Sequence, residues 1–270
     1  MQDPGALTCH GRNDEFRKRC LIVVDDRVVD IVKRVGLEGL YRTPCKEIDH
    51  NLITAFVERW RPETHTFHPH DETTITLQDV EVILGIPIDG EVVVGTTDKI
   101  WTIECRTMLG INPTGTVLKG QRILIKKLLY KIDQGLPDNG TEVDVRQYAR
   151  CYILALLADT IFADKFGNRV HMMWLQMLSD LRNPPQYSWG SACLAWLYKE
   201  LCRATDRGAS QIGRAANCRD VVVCTISSST PTSARGSKVT YNSKSATCFH
   251  LSILRNMNFT CLSSVIAIYL

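Results

Sequence analysis

Residues 146–163, RQYARCYILALLADTIFA, constrain the fold more than any other stretch. A helix that is apolar on nearly every side has to be enclosed, either by lipid or by the rest of its own chain. Arg150 and Asp159 interrupt this segment. Nowhere does the sequence reach the roughly twenty apolar residues that a membrane helix needs. The expectation is therefore a helix buried in protein, with no membrane involved. A chain of 270 residues, 44% hydrophobic and 23% charged, is large enough to supply that enclosure.

Several segments carry helical periodicity of their own. RVVDIVKRVG places Val28, Ile31, Val32 and Val35 on one face behind Asp25 or Asp26 as N-cap, with Gly36 as a left-handed stop. KEIDHNLITAFVERWRP sets Ile48, Leu52, Phe56 and Trp60 four residues apart before Pro62 forbids continuation. LKGQRILIKKLLYKI aligns Leu118, Ile125, Leu129 and Ile132 opposite lysines, with Gly120 obscuring the start. Helices are also expected over 146–163, 170–181 and 189–204, the last behind Ser188. The predicted fold is mainly α, a single helical domain with irregular connecting loops. Its core is drawn from Ile48, Leu52, Phe56, Leu77, Val80, Ile83, Leu154, Leu157, Trp174, Leu178, Leu194 and Leu197.

HTFHPHDETTITLQDVEVILGIPIDG, residues 65–90, holds the densest group of potential ligands. Its second half reads as helix punctuation: Thr76 caps, Asp79 sits where the helix dipole favours an anion, and Gly85 with Pro87 ends the helix. In the first half His65, His68, His70, Asp71 and Glu72 are all competent metal ligands. The three histidines would still need a fourth ligand, no Cys or further His falls within ten residues to complete the site, and Pro69 restricts the loop's convergence. A polar loop is the favoured reading, with His65, His68, His70 and Asp71 kept as weak metal candidates.

Other chemistry is sparser. The phosphate-binding, zinc-protease, nucleophile-elbow and paired-cysteine motifs are all absent. Asp159, Asp164 and Asp180 would be an acid triad for metal-dependent nucleic-acid cleavage if they converged, although Lys165 and other basic neighbours suit surface acids better. Trp189, Cys193, Trp196, Leu197 and Leu201 have the spacing of a core face rather than of a base-stacking platform. No catalytic residue and no cofactor are expected.

Composition changes near Gly213. Residues 214–270 hold ten serines against four in the preceding 213, and they carry six basic residues against the single acid Asp220. The net charge of +3 thus divides into +5 for this tail and −2 for the body, so the body offers phosphates no overall basic footprint. The organisation expected is an N-terminal extension over 1–20, a folded domain over 21–213 and a disordered or atypical Ser/Thr-rich tail over 214–270. The opening residues are read as carrying no secretory signal, and the eleven cysteines are accordingly expected to be reduced thiols of an intracellular protein.

Four blocks carry a family resemblance: ERWRPETHTFH, TITLQDVEVILGIPIDG, RQYARCYILALLADTIFADKFGNRVHMMWLQMLSDL and YSWGSACLAWLYKELCRATDRGASQIG. In this order they resemble the plant mobile domain of the MAIN and MAIN-like proteins, a group whose members are also labelled aminotransferase-like or phosphatase 7 long form homologue. The resemblance runs from about residue 20 to Gly213. It implies a nuclear, non-enzymatic interaction or scaffold protein linked to meristem maintenance, genome integrity and transposon silencing. Implied partners are nuclear proteins, a phosphatase 7-like protein among them, with direct nucleic-acid binding left open. It supplies no catalytic residues: metallophosphatase motifs are missing, and no lysine has a recognisable pyridoxal-phosphate setting. The sequence departs from the family pattern after HTFH, and again after GASQIG, where RAANCRDVVV replaces a Leu-rich helix. A domain incomplete at its C-terminal side is expected, leaving an apolar face of Trp189, Trp196 and Leu201 exposed. A transposon-derived nucleic-acid binder or nuclease remnant, and a truncated product without activity, are the alternatives.

Overall fold

A computed structural model describes residues 8–10, 24–42, 50–68, 72–137, 139–162, 168–206 and 211–213. The segment 146–163 is enclosed as its composition requires. It lies within α7 (Glu142–Thr160), which begins earlier than the apolar pattern does because Thr141 and Asp144 form a reciprocal capping box. Arranged around it are α1 (Asp26–Arg34), α2 (Glu38–Arg42), α5 (Trp101–Leu109), α6 (Ile125–Asp133) and a 3-10 helix (Met172–Leu178). Leu154 and Leu157 are fully buried within this layer.

A second layer is built on α8 (Trp189–Ala204), which packs against α4 (Leu77–Leu84) and β2 (Trp60–Arg61). The expected α4 is present with its full punctuation: the Asp79 amide donates to Thr76 Oγ1, Thr76 N donates to Asp79 Oδ2, and Gly85 has φ of 62°. The expected helix behind Asp25 is also present, and Gly36 follows it with φ of 82°. The indole of Trp189 donates to the Val35 carbonyl at 2.9 Å, pinning α8 to the end of α1. Trp189 and Leu201 are buried and Trp196 is half-buried, so the apolar face predicted to lie exposed is closed.

The remaining differences have local causes. The helix predicted through Trp60 stops at Arg59: α3 (His50–Arg59) ends, and Trp60 opens a hairpin with β3 (Thr66–Phe67). Its buried residues are consequently Val57 and Trp60, with Leu52 and Phe56 half-buried; Ile48 lies outside the described residues. The helix predicted from Leu118 starts only at Ile125. Before it, Gly120 at φ of 59° turns β4 (Leu118–Lys119) back on β5 (Arg122–Leu124). β6 (Arg169–His171) adds to the same sheet, so the helix predicted over 170–181 is instead a strand followed by the 3-10 helix. Ser188 occupies the N-cap of α8, but its hydroxyl donates to the Ile88 carbonyl and caps no helix amide.

β1 (Thr8–His10) runs parallel to β7 (Gln211–Gly213), pairing a piece of the N-terminal extension with the segment beyond α8. The tail over 214–270 lies outside the described residues. Within those residues the protein is mainly helical with three small sheets, and no helix is long and apolar enough to cross a membrane.

Candidate functional site

The β2–β3 hairpin carries the histidines and sends them to different partners. His65 adopts φ of 53° at the turn, a conformation rare for a residue with a Cβ. Its ring stacks on Tyr198 of α8 with centroids 5.3 Å apart and planes 5° from parallel. The Thr74 hydroxyl donates to the His65 carbonyl and lies 2.8 Å from Tyr198 Oη, which in turn donates to the Ile75 carbonyl. Trp60 completes the cluster, edge-on to Phe67 at 4.7 Å. His68 faces polar groups instead, with Nε2 3.0 Å from Thr66 Oγ1 and 3.3 Å from Glu72 Oε1. His70 and Asp71 lie outside the described residues, within which no three His, Cys, Asp or Glu side chains converge as a metal site.

The acids proposed as a triad serve separate elements. Asp159 is buried in the last turn of α7, while exposed Asp180 accepts the amides of Arg182 and Asn183 in the turn after the 3-10 helix. Those two amides hold the Asp180 carboxyl below its usual range. Asp164 and Lys165 lie outside the described residues. The aromatic spacing in α8 is a core face: Cys193, Leu197 and Leu201 are buried, and half-buried Trp196 meets Phe162 edge-on at 5.7 Å. Thiol chemistry is suppressed in the interior, because burial pushes Cys105 up to about 11 and Cys151 and Cys193 up to about 12. Each stays a protonated, poorly nucleophilic thiol near neutral pH.

A polar cleft between α1 and α7 was not anticipated from the motifs. Arg27 and Arg34 stand seven residues apart on α1 with Asp30 between them, a spacing that places all three on one face. Glu142 and Arg146 present one turn of α7 towards them, and Arg182 closes the cleft from the turn after the 3-10 helix. The cavity is about 370 Å³. Ile31, Val145 and Leu181 form an apolar, buried floor. Arg182 grips Glu142 with Nε at 3.0 Å from Oε1 and Nη2 at 2.7 Å from Oε2, and Arg27 grips Asp25 in the same forked manner at 3.0 and 2.8 Å. These guanidinium hydrogen bonds hold the carboxyls of Glu142 and Asp25 below the usual range. Behind the cleft, Arg150 donates to the carbonyls of Leu178, Ser179 and Met108, tying α7 to the 3-10 helix and α5. The legible signal was the charge periodicity of α1; the meeting of three distant segments was not.

The plant mobile domain profile matches residues 36–232, running past the change of composition at Gly213. Over 210 residues the chain is 40% identical to a serine/threonine-protein phosphatase 7 long form homolog of Arabidopsis thaliana, a match covering 77% of this chain and 15% of the relative. It is 34% identical over 224 residues to Protein MAIN-LIKE 2 of Arabidopsis thaliana, covering 83% of this chain and 32% of the relative. To Protein MAINTENANCE OF MERISTEMS, also of Arabidopsis thaliana, it is 32% identical over 226 residues, covering 83% and 46%. The chain thus spans less than half the length of these relatives. No solved structure matches. With the family profile matching most of its length, and with the four sequence blocks falling in α4, α7, α8 and the β2–β3 hairpin, the chain belongs to the plant mobile domain family.

Proposed function

We propose that this chain is a non-enzymatic interaction module of a nuclear scaffold protein, acting in meristem maintenance, genome integrity and transposon silencing with other nuclear proteins. A phosphatase 7-like protein is the first partner to test. The observation that carries this reading is the cleft between α1 and α7: it is open, arginine-lined and floored by apolar side chains, the composition of a surface that recognises another molecule. Similarity to a protein named for the maintenance of meristems supports the biological setting. Affinity purification of the full chain from plant nuclei, with and without nuclease, tests the proposal. Recovery of the same proteins in both conditions is expected. Loss of every partner after nuclease treatment would replace it with the nucleic-acid-binding alternative.

A further inference from the structure

Among the arginines of the cleft, Arg34 is held differently from the others. Arg27 and Arg182 each close on a carboxylate, and Arg146 Nη2 lies 3.8 Å from Glu142 Oε2. Arg34 has no carboxylate within ion-pair distance among the described residues. Its Nε and Nη1 donate instead to the carbonyls of Asp30 and Arg182, at 3.4 and 3.3 Å. Backbone carbonyls fix a guanidinium without neutralising it, so a positioned and uncompensated cation stands in the cleft. Around the cavity the guanidinium groups of Arg27, Arg34, Arg146 and Arg182 face the carboxylates of Asp30 and Glu142, and with Asp25, which already holds Arg27, the balance is +1.

We propose that this cleft binds a phosphate monoester carried on a protein segment, a phosphoserine or phosphothreonine, with Arg34 as its principal anchor; this rests on the interaction-module reading. A phosphoryl group near pH 7 carries close to two negative charges and three strong acceptor oxygens, enough to engage Arg34 and to compete with Glu142 and Asp25 for the neighbouring guanidinium groups. A side-chain carboxylate brings half that charge and one acceptor oxygen fewer, so it gains less from Arg34. The apolar floor of Ile31, Val145 and Leu181 suits the stem and neighbours of a peptide side chain. A nucleic-acid backbone fits poorly: it needs a continuous basic track, and here Asp30 and Glu142 line the cleft itself while Asp25 and Asp180 stand on Arg27 and on the Arg182 amide at its margins.

The test uses the full chain and a degenerate fluorescent phosphoserine peptide pool. The same pool without phosphate, an aspartate-substituted pool, inorganic phosphate and duplex DNA serve as competitors. The phosphopeptide pool should bind at least about tenfold more tightly than either peptide control. Arg34→Gln should weaken it by about tenfold, whereas Asp30→Asn, which removes an exposed repelling charge, should tighten it several-fold. The opposite sign at Asp30 separates a binding effect from simple loss of folding, and circular dichroism checks both variants. Equal binding of the peptide pools, displacement by inorganic phosphate alone with no preference for the peptide, tighter binding of duplex DNA, or indifference to both substitutions would each overturn the proposal. Should nuclear partners be recovered equally by wild type and Arg34→Gln, before and after phosphatase treatment, the interaction reading stands while the phosphate site fails.

Discussion

At the scale of single residues, the side chains with potential chemistry are mostly held by the fold, and substitutions should reveal that as stability. Leu154 is fully buried at the centre of α7. Leu154→Ala should therefore cost about 2–5 kcal/mol, the transfer energy of the lost methyl groups plus the cavity left in a close-packed interior. Urea denaturation with an unchanged m-value is the measurement. Gly39 makes the complementary case, since a Cβ there would collide with the backbone carbonyls of Leu84 and Gly85 where α2 crosses the end of α4. No side chain can rotate away to relieve a backbone clash, so Gly39→Ala should destabilise even though alanine is the better helix former. A melting temperature equal to or above that of the native sequence would contradict this contact. His65 shows why residue chemistry misleads when read alone: its spacing to His68 suggested a shared ligand, yet the turn places its ring on Tyr198. Sequence spacing specifies which ligands are available, while the backbone turn decides which way each one points.

At the scale of elements, legibility followed hydrophobic periodicity and stop residues more closely than capping: α8 was placed although Ser188 caps no amide, and the start of α7 was missed although Thr141 and Asp144 form a capping box. α1, α4 and α8 end where periodicity and stop residues indicated, and α4 carries the reciprocal Thr76 and Asp79 bonds expected of it. α5 went unseen although Trp101, Cys105 and Leu109 bury one face, because Ile100 at its N-cap offers no side-chain acceptor to announce a start. The β4–β5 hairpin was hidden for a different reason. Leu118, Ile125, Leu129 and Ile132 fit a helical face, and only the pairing of β5 with β6, some fifty residues away, makes strand the better state for 122–124. Capping also yields a prediction with a definite pH dependence. Thr141→Ala should cost about 1 kcal/mol by removing the N-cap of α7. The Asp144 carboxyl is held below its usual range first by the Thr141 hydroxyl and then by the Thr141 amide. A carboxyl depressed on folding stabilises the folded state above its unfolded pKa, near 4, and that contribution disappears as pH falls through the folded value. The difference in stability between wild type and Thr141→Ala should accordingly narrow on acidification from pH 6 to pH 3. A gap that stays constant would show that the Asp144 charge takes no part in the cap.

For the whole molecule, one apolar helix surrounded by amphipathic ones explains both the fold class and the placement of polar groups at its margins. The enclosing layers consume the hydrophobic surface, including Trp189 and Leu201, and leave the ionised groups of α1 and α7 to meet at an open seam. That distribution bears on the enzyme names attached to relatives. Two-metal phosphoester hydrolysis requires acids and histidines clustered within a few ångströms of two cations. In this protein Asp159 is enclosed in α7, Asp180 is engaged by two amides of its own turn, and His65 and His68 are directed to a tyrosine and to a threonine and glutamate pair. Assembly of such a site would require breaking several of these contacts together. Purified full chain supplied with manganese, zinc or magnesium should therefore hydrolyse a phosphate-ester substrate no faster than buffer containing the same metal. The decisive control is the cleft itself: if the arginines bind phosphate without chemistry, a phosphopeptide should be recovered intact after prolonged incubation with the protein. Metal-dependent release of phosphate that follows the protein through successive columns, and is lost in His68→Ala without loss of helical structure, would establish catalysis and refute the scaffold reading.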